Sequence, residues 1–262
     1  MFGCVNGALP MTETCDLCHS STLEPIYEPE TSPRGLTVHL CSDCGLVQSL
    51  PRAEGKARSS AARDNVHFSK PSRTEACVSL IRAHADLDSC LCVLHTGSNR
   101  GPFARALLNA APAAMLTSVG PDEDGRLLEA HFDIVYSCRT IVQHVSPAST
   151  LADHWRALKP DGLLIIDAPN IEEIGSDGIA EEWFIDNHLY HFSRRTLARL
   201  LEIAGFETVA GADSRDRENL LFAARKRNKP TRSGGRDLGE VDAALALIAS
   251  YVTARVGAQR AA

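Results

Sequence analysis

The sequence predicts an α/β protein: a doubly wound, mostly parallel, seven-stranded Rossmann-like sheet preceded by a small N-terminal zinc-ribbon module. Three observations predict it. Short apolar runs alternate with helix-like segments between Ser89 and Lys226, and two cysteine pairs near the N-terminus share one spacing. The 262 residues suffice for one ordinary α/β core with an appendage, but not for two full-sized domains. Such a sheet carries helices on both faces, and its ligands bind at the carboxyl ends of the strands.

The cysteines come first in the chain. Cys15 and Cys18 in "CDLC" and Cys41 and Cys44 in "CSDCG" form C-x2-C-x22-C-x2-C. Each C-x2-C makes a tight knuckle presenting two thiolates, and two knuckles complete the tetrahedron that a structural Zn²⁺ takes. His19 and His39 lie near, but four sulfurs already close the shell. A module this small buries little core, so the metal would supply its stability. Cys77, Cys90, Cys92 and Cys138 share no ligand spacing and read as buried, reduced thiols.

The remaining elements follow in order. "TEACVSLIRAHADL", Thr74 to Leu87, has helical apolar spacing. "SCLCVLHTG" is a strand, followed by a turn holding Gly97 and Gly101 and a helix from about Phe103; "AAMLTSVG" and "FDIVYSC" are the next two strands. "LADHWRALKPDG" reads as a helix closed by Pro160 and Gly162, and "LLIIDAPN" as the fourth strand. "SRRTLARLLEIAGF" is a helix with Ser193 as N-cap and Gly205 at its end, after which "ETVAGAD" and "NLLFAARK" form an antiparallel pair. Asp237 to Val256 places Leu238, Val241, Leu245, Ile248 and Val252 at helical intervals, a stripe that docks on its own domain or, alternatively, on a protein partner or a second copy as a homodimer. The implied organisation is a zinc module at 11–52, a linker and leading helix at 53–87, the sheet domain at 88–227, a basic linker at 228–236 and a C-terminal helix at 237–262. Met11 offers an alternative start, which would make the first ten residues an extension.

Composition excludes several classes. The net charge of -6 argues against a nucleic-acid surface, and the basic run from Arg225 to Arg236 reads as a solvated linker. The N-terminus lacks a basic region followed by an apolar one, so the expected location is cytoplasmic. No uninterrupted apolar run is long enough for a bilayer, and no membrane partner is expected.

The segments "FDIVYSCRTIVQHVSPASTLADHWRALKPDGLLIIDAPN" and "NHLYHFSRRTLARLLEIAGFE" resemble the class I S-adenosylmethionine-dependent methyltransferases. Joined to a cysteine module ending in "CSDCGLVQSLP", the chain is similar to a subgroup that includes sugar C-methyltransferases, over roughly Cys15 to Lys226. The resemblance implies S-adenosylmethionine as cofactor and a small-molecule acceptor, a sugar or natural-product intermediate. It also exposes departures. The family's first motif runs acid-x-Gly-x-Gly-x-Gly; here the acid position is His95, the middle glycine is Asn99, and Gly97 and Gly101 remain. Asn99 still tolerates a left-handed turn. The family's ribose-binding acid falls at Gly120, with Asp122 two residues beyond, and Ser137 and Cys138 should line the cofactor cleft.

Methyl transfer needs an in-line nucleophile and, where a proton must leave, a base near neutral pH. His188 and His191 in "DNHLYHF" match the stretch that carries a Glu-His pair in the sugar enzymes; His188 is retained and Asn187 replaces the acid. His191 is the second candidate base, with packing as the other reading. His144 in "VQHV" matches a frequent Glu-His and would hold a helix start beneath the pocket, while Tyr190 and Trp183 wall the substrate side or pack in the core. Two main readings follow: a methyltransferase acting on a small molecule, or a methyltransferase-fold protein that no longer methylates and serves as partner subunit or scaffold. The clustering of His95, Asn99, Gly120 and Asn187 at one site motivates the second. A zinc-ribbon nucleic-acid adaptor is a third, opposed by the acidic balance.

Overall fold

The computed structural model describes residues 13–30, 32–52, 71–97, 100–119, 127–175, 182–212, 218–227, 229–231 and 235–261. The larger sheet is built from β4 (Cys92–Gly97), β5 (Met115–Val119), β6 (Phe132–Cys138), β7 (Leu158–Pro169), β9 (Phe206–Ala212) and β10 (Asn219–Lys226), in the order β5-β4-β6-β7-β10-β9. The first four are parallel, and β10 runs antiparallel to both β7 and β9. Successive residues of each central strand feed opposite cores, because side chains alternate across a pleated sheet. Val93, Ile134 and Ile165 pack with Cys77 and Ile81 of α1 (Pro71–His84) and with Phe103 and Leu107 of α2 (Arg100–Ala110). Leu94, Val135 and Ile166 pack on the other face with Leu151 of α3 (Pro147–Ala157) and Leu197 and Leu201 of α4 (Arg194–Ile203).

Six strands stand in this sheet among the described residues, against the seven expected. Only residues 120–131 separate β5 from β6. A further parallel strand beyond β5 would need two crossovers of about a dozen residues each. The helix expected from Leu151 to Gly162 is also corrected: α3 starts at Pro147 and stops at Ala157, and the chain passes directly into β7, with Asp161 at φ 61 bending its start. Ser193 caps α4 as expected, in a reciprocal capping box with Thr196, and Gly205 closes the helix at φ 88.

A second sheet, β1-β2-β3-β8, is antiparallel throughout. The cysteine module supplies β1 (Leu23–Tyr27), β2 (Thr37–Cys41) and β3 (Val47–Leu50), and the late segment of the main domain supplies β8 (Tyr190–His191). Module and domain therefore share a backbone ladder. Leu36, Leu46 and Tyr190 join the core beneath α3 and α4, while Val38, Leu40 and Val47 join Phe184 and the C-terminal helix.

That helix, α5 (Leu238–Ala261), docks on its own chain, through a stripe rotated from the expected one. Glu240, Ala244, Ile248, Tyr251 and Arg255 are buried, whereas Leu238 and Leu245 are 63% and 42% exposed. The polar members decide the rotation. Glu240 takes a hydrogen bond from Ser193 Oγ, and Arg255 pairs with Glu30 and Glu182. Residues 238–258 are long and apolar enough to cross a membrane by length and composition, although Glu240, Asp242 and Arg255 interrupt the apolar run. Cys90 is exposed and Cys92 partly so, unlike the buried thiols expected there.

Gly45 marks where α5 meets the module: its φ is +76, and a Cβ there would lie 2.6 Å from Glu240 Cγ. Gly45→Ala is expected to destabilise the protein by about 1–3 kcal/mol and to speed amide exchange in α5. Gly235→Ala, with nothing within 4 Å of its Cβ, should leave both unchanged, as read by denaturant titration and hydrogen exchange.

Candidate functional site at the strand tips

Strand order reverses at β4: the chain leaves it toward β5 on one side and returns to β6 on the other. The crevice outside the carboxyl ends at such a switch point is where open α/β sheets hold ligands. Gly97 and Cys138 are paired there as the last residues of β4 and β6. Gly97 has φ +143, and a Cβ on it would lie 2.6 Å from the Cys138 carbonyl oxygen, so only glycine lets the two tips converge. Gly101, in the first turn of α2, has nothing within 4 Å of its would-be Cβ. Asn99, Gly120 and Asp122 lie outside the described residues.

Three expected site residues turn inward. His95, at the motif's acid position, is fully buried, its ring stacked on Phe103 and tilted against Tyr136, each 5.3 Å away between centroids, and those two rings lie 4.2 Å from each other. Ser137 is fully buried and shares a hydrogen bond with Thr140, whose hydroxyl also donates to the Thr96 carbonyl at 3.4 Å. Burial, and then the charge of Asp167, pushes the Cys138 thiol up to about 12. Ser137 and Cys138, expected to line the cofactor cleft, are both buried at the end of β6.

Charged groups gather around these tips that the sequence reading passed over. Asp167, fully buried near the end of β7, pairs Cα to Cα with Cys138 and Leu221 and raises the pKa of Cys77 and Cys138. Buried Arg73 of α1 lies 4.0 Å from Glu218, and Arg139 donates to Asn219 Oδ1 at 3.1 Å. A carboxylate at the end of the wholly apolar run "LLII" was the available signal for Asp167.

His188 stands beside this cluster. Its N–H donates to the Ile185 carbonyl at 2.9 Å, closing a turn, and the next two residues, Leu189 and Tyr190, donate to Val142 O at 2.7 and 3.3 Å, in the loop that leaves β6. The imidazole is buried, its pKa held well below the usual value first by desolvation and then by Arg139 and His191. Nε2 makes no hydrogen bond to the described residues. His188 is thus neutral at pH 7. His191 faces the module: its Nε2 is 3.0 Å from Ser49 Oγ, and its ring packs T-shaped with that of Phe184, 4.7 Å between centroids. His144 precedes the α3 N-cap Ser146 by two residues, in the loop expected, and burial lowers its pKa. Tyr190 packs in the core, its hydroxyl donating to Val145 O.

The four module cysteines converge. Cys15 and Cys44 are 3.5 Å apart between sulfurs, as are Cys18 and Cys41, and all four sulfurs lie within 4.8 Å of one another, a set able to hold a metal ion. Tetrahedral ligands at about 2.3 Å from a zinc would stand roughly 3.8 Å apart. Thiol hydrogen bonds from Cys15 hold Cys18 and Cys41 low, and those between the same sulfurs push Cys15 and Cys44 up.

Burial holds His191 and His154 at about 3. Both pKa values lie below the unfolded value of about 6.5, so the stability they contribute is complete above that pH and is lost as pH falls toward 3. Each should steepen the fall by about 1.4 kcal/mol per pH unit. Urea unfolding between pH 7 and 5 should therefore show a shallower slope for His191→Gln than for the parent, by about one proton.

Comparison with known proteins places this architecture. The chain superimposes on a 1,6-didemethyltoxoflavin-N1-methyltransferase from Burkholderia thailandensis with a TM-score of 0.51 at 17% identity, covering 77% of this chain and 100% of that one. A SAM-dependent methyltransferase from Aquifex aeolicus gives a TM-score of 0.50 at 15% identity, over 64% of this chain and 100% of the other. Among curated proteins, none matches at a significant level. A family profile described as a methyltransferase domain matches residues 56–210, more than half of the sequence. The chain belongs to this methyltransferase-domain family, on the class I S-adenosylmethionine-dependent methyltransferase fold.

Proposed function

We propose that the protein transfers a methyl group from S-adenosylmethionine to a small molecule, a sugar or natural-product intermediate, and that its cysteine module holds a structural zinc. The observation that carries this reading is the juxtaposition of the β4/β6 switch point with the buried, neutral His188. Family membership supplies the cofactor class; the solved relative from Burkholderia carries S-adenosylhomocysteine and 1,6-didemethyltoxoflavin.

In this reading Gly97, Gly101, Ser137 and Cys138 hold the cofactor, and Asn99, Gly120 and Asp122 contribute to its binding. The cofactor supplies an electrophilic methyl carbon. His188 orients the acceptor and takes the proton that the attacking atom loses. Its low pKa makes it a weak base, so orientation of the acceptor through a hydrogen bond is the larger part of its role. His191 and His144 act as supports, one fixed to Ser49 and the other before α3. No side chain beyond Cys15, Cys18, Cys41 and Cys44 is needed to close the metal shell, which leaves it no open position for chemistry.

Titration with S-adenosylmethionine and S-adenosylhomocysteine should raise Tm in a ligand-dependent way, by the mass action that any native-state ligand exerts. Absence of a shift at millimolar ligand would instead favour a chain that keeps the fold as a subunit or scaffold. Elemental analysis should find about one zinc per chain, and Cys41→Ser should lose the metal and lower stability together. Metal content far below one equivalent in the purified parent would remove the zinc assignment.

A further inference from the structure

We propose that Asp186 is a positioning residue: it fastens the turn bearing His188 to the β1–β2 loop of the cysteine module, so that the module sets where the imidazole stands over the strand tips. This rests on the reading of His188 given above.

Asp186 is the second residue of the Ile185–His188 turn, and every polar contact described for it is made to the module. Its Oδ1 accepts from Ser32 Oγ at 2.6 Å, its Oδ2 from Arg34 N at 2.7 Å, and its carbonyl from Arg34 Nη1 at 3.0 Å. The receiving loop is itself fixed, since Ser32 Oγ also accepts from Leu36 N at 2.7 Å, one residue before β2. A carboxylate with one oxygen on a hydroxyl and the other on a backbone N–H is held in both position and rotation, and such charge-assisted bonds are the stronger kind.

The other end of the turn is held differently. Leu189 O accepts from Ser49 N at 2.8 Å, and Leu189 N donates to Val142 O. His188 therefore hangs between one anchor that the module owns outright and one that module and domain share. Ile185, beside Asp186, is 39% exposed, so packing alone does not fix this side of the turn. Further upstream, Glu182 accepts from Tyr27 Oη of β1 and from Tyr251 Oη of α5, which keeps the start of the segment in place even if the Asp186 latch is lost. Loss of the latch should free the turn without unfolding the domain.

The test reads the imidazole directly. In ¹⁵N-histidine-labelled protein, with His188→Gln used to assign the resonance, the parent His188 should stay in one neutral tautomer down to pH 5. The groups facing it are Arg139 after β6 and His191 of β8, and both remain in the variants. Asp186→Ala should bring the His188 titration at least one pH unit toward the value of an exposed histidine and mix its tautomers. Asp186→Asn, which keeps one acceptor and places an N–H₂ against the other donor, should fall between. Ser32→Ala, a milder change from the module side, should move the same signal in the same direction, and it stands in if the Asp186 variants fail to fold. Affinity for S-adenosylhomocysteine, measured by calorimetry on the same samples, should match the parent. Identical His188 titration and tautomer in the parent, Asp186→Ala and Ser32→Ala would overturn the proposal. A parent that does not bind S-adenosylhomocysteine would overturn the methyltransferase reading instead, and the imidazole result would stand apart from it.

Discussion

Four sulfur atoms gathered within 4.8 Å of one another are the constraint on which the outer half of the structure hangs. Thiolates this close repel unless a cation sits among them, and the small sheet around them has little apolar surface of its own to resist that repulsion. What makes the cluster matter beyond its module is the residues between the ligands. Asp16, between Cys15 and Cys18, accepts from Ser146 Oγ and from Ala148 N, and so supplies a second cap to the α3 N-terminus. Asp43, between Cys41 and Cys44, accepts from Asp237 N and pairs with Arg236 where α5 begins. One knuckle grips the methyltransferase domain and the other grips the C-terminal helix.

Desolvation shapes the histidines of the site in the same way throughout. His95, His154, His188 and His191 are all buried, and a buried imidazole is cheaper neutral than charged. For His95 the consequence is chemical. The position packs against Phe103 and Tyr136, so a buried carboxylate there would be costly to desolvate, whereas an imidazole ring packs with both. At the departure from the family motif the side chain serves the core, and Asp167 on β7, two strands away, brings a carboxylate to the same end of the sheet.

The main domain was legible because its strands are short apolar runs with breakers between them, and periodicity reports burial directly. Ser193 and Gly205 were legible for the same local reason, since caps depend on nearest neighbours. The cysteine cluster was legible from spacing alone. What stayed hidden was non-local. Nothing in "LYHF" distinguishes a domain loop from the fourth strand of another sheet, and Tyr190 becomes a strand residue only because Gln48 lies opposite it. The α5 stripe was misjudged because apolar residues alone were counted, whereas Glu240 and Arg255 find buried partners that no helical wheel shows. The end of α3 was placed late because Pro160 and Gly162 read as a helix stop, although they lie inside β7.

The shared ladder has a further consequence for how the chain is divided. By sequence the module ends near residue 52 and the domain begins later, yet the segment from Glu182 to Ser193 belongs to both. β3 pairs with it, Tyr27 and Tyr251 hold its start, and Glu240 binds the hydroxyl that caps α4 at its end. A strand pair of two residues is too short to be stable by itself, so the pairing persists only while module, domain and helix hold it from three sides. The strand tips of the large sheet, by contrast, are fixed by parallel pairings deep in the core. The β4 and β6 tips therefore draw their rigidity from the sheet, and the turn bearing His188 from an assembly centred on the cysteines. A disturbance of the cysteine module would loosen the His188 turn, which Asp186 and Leu189 tie to it, before it reached the β4 and β6 tips.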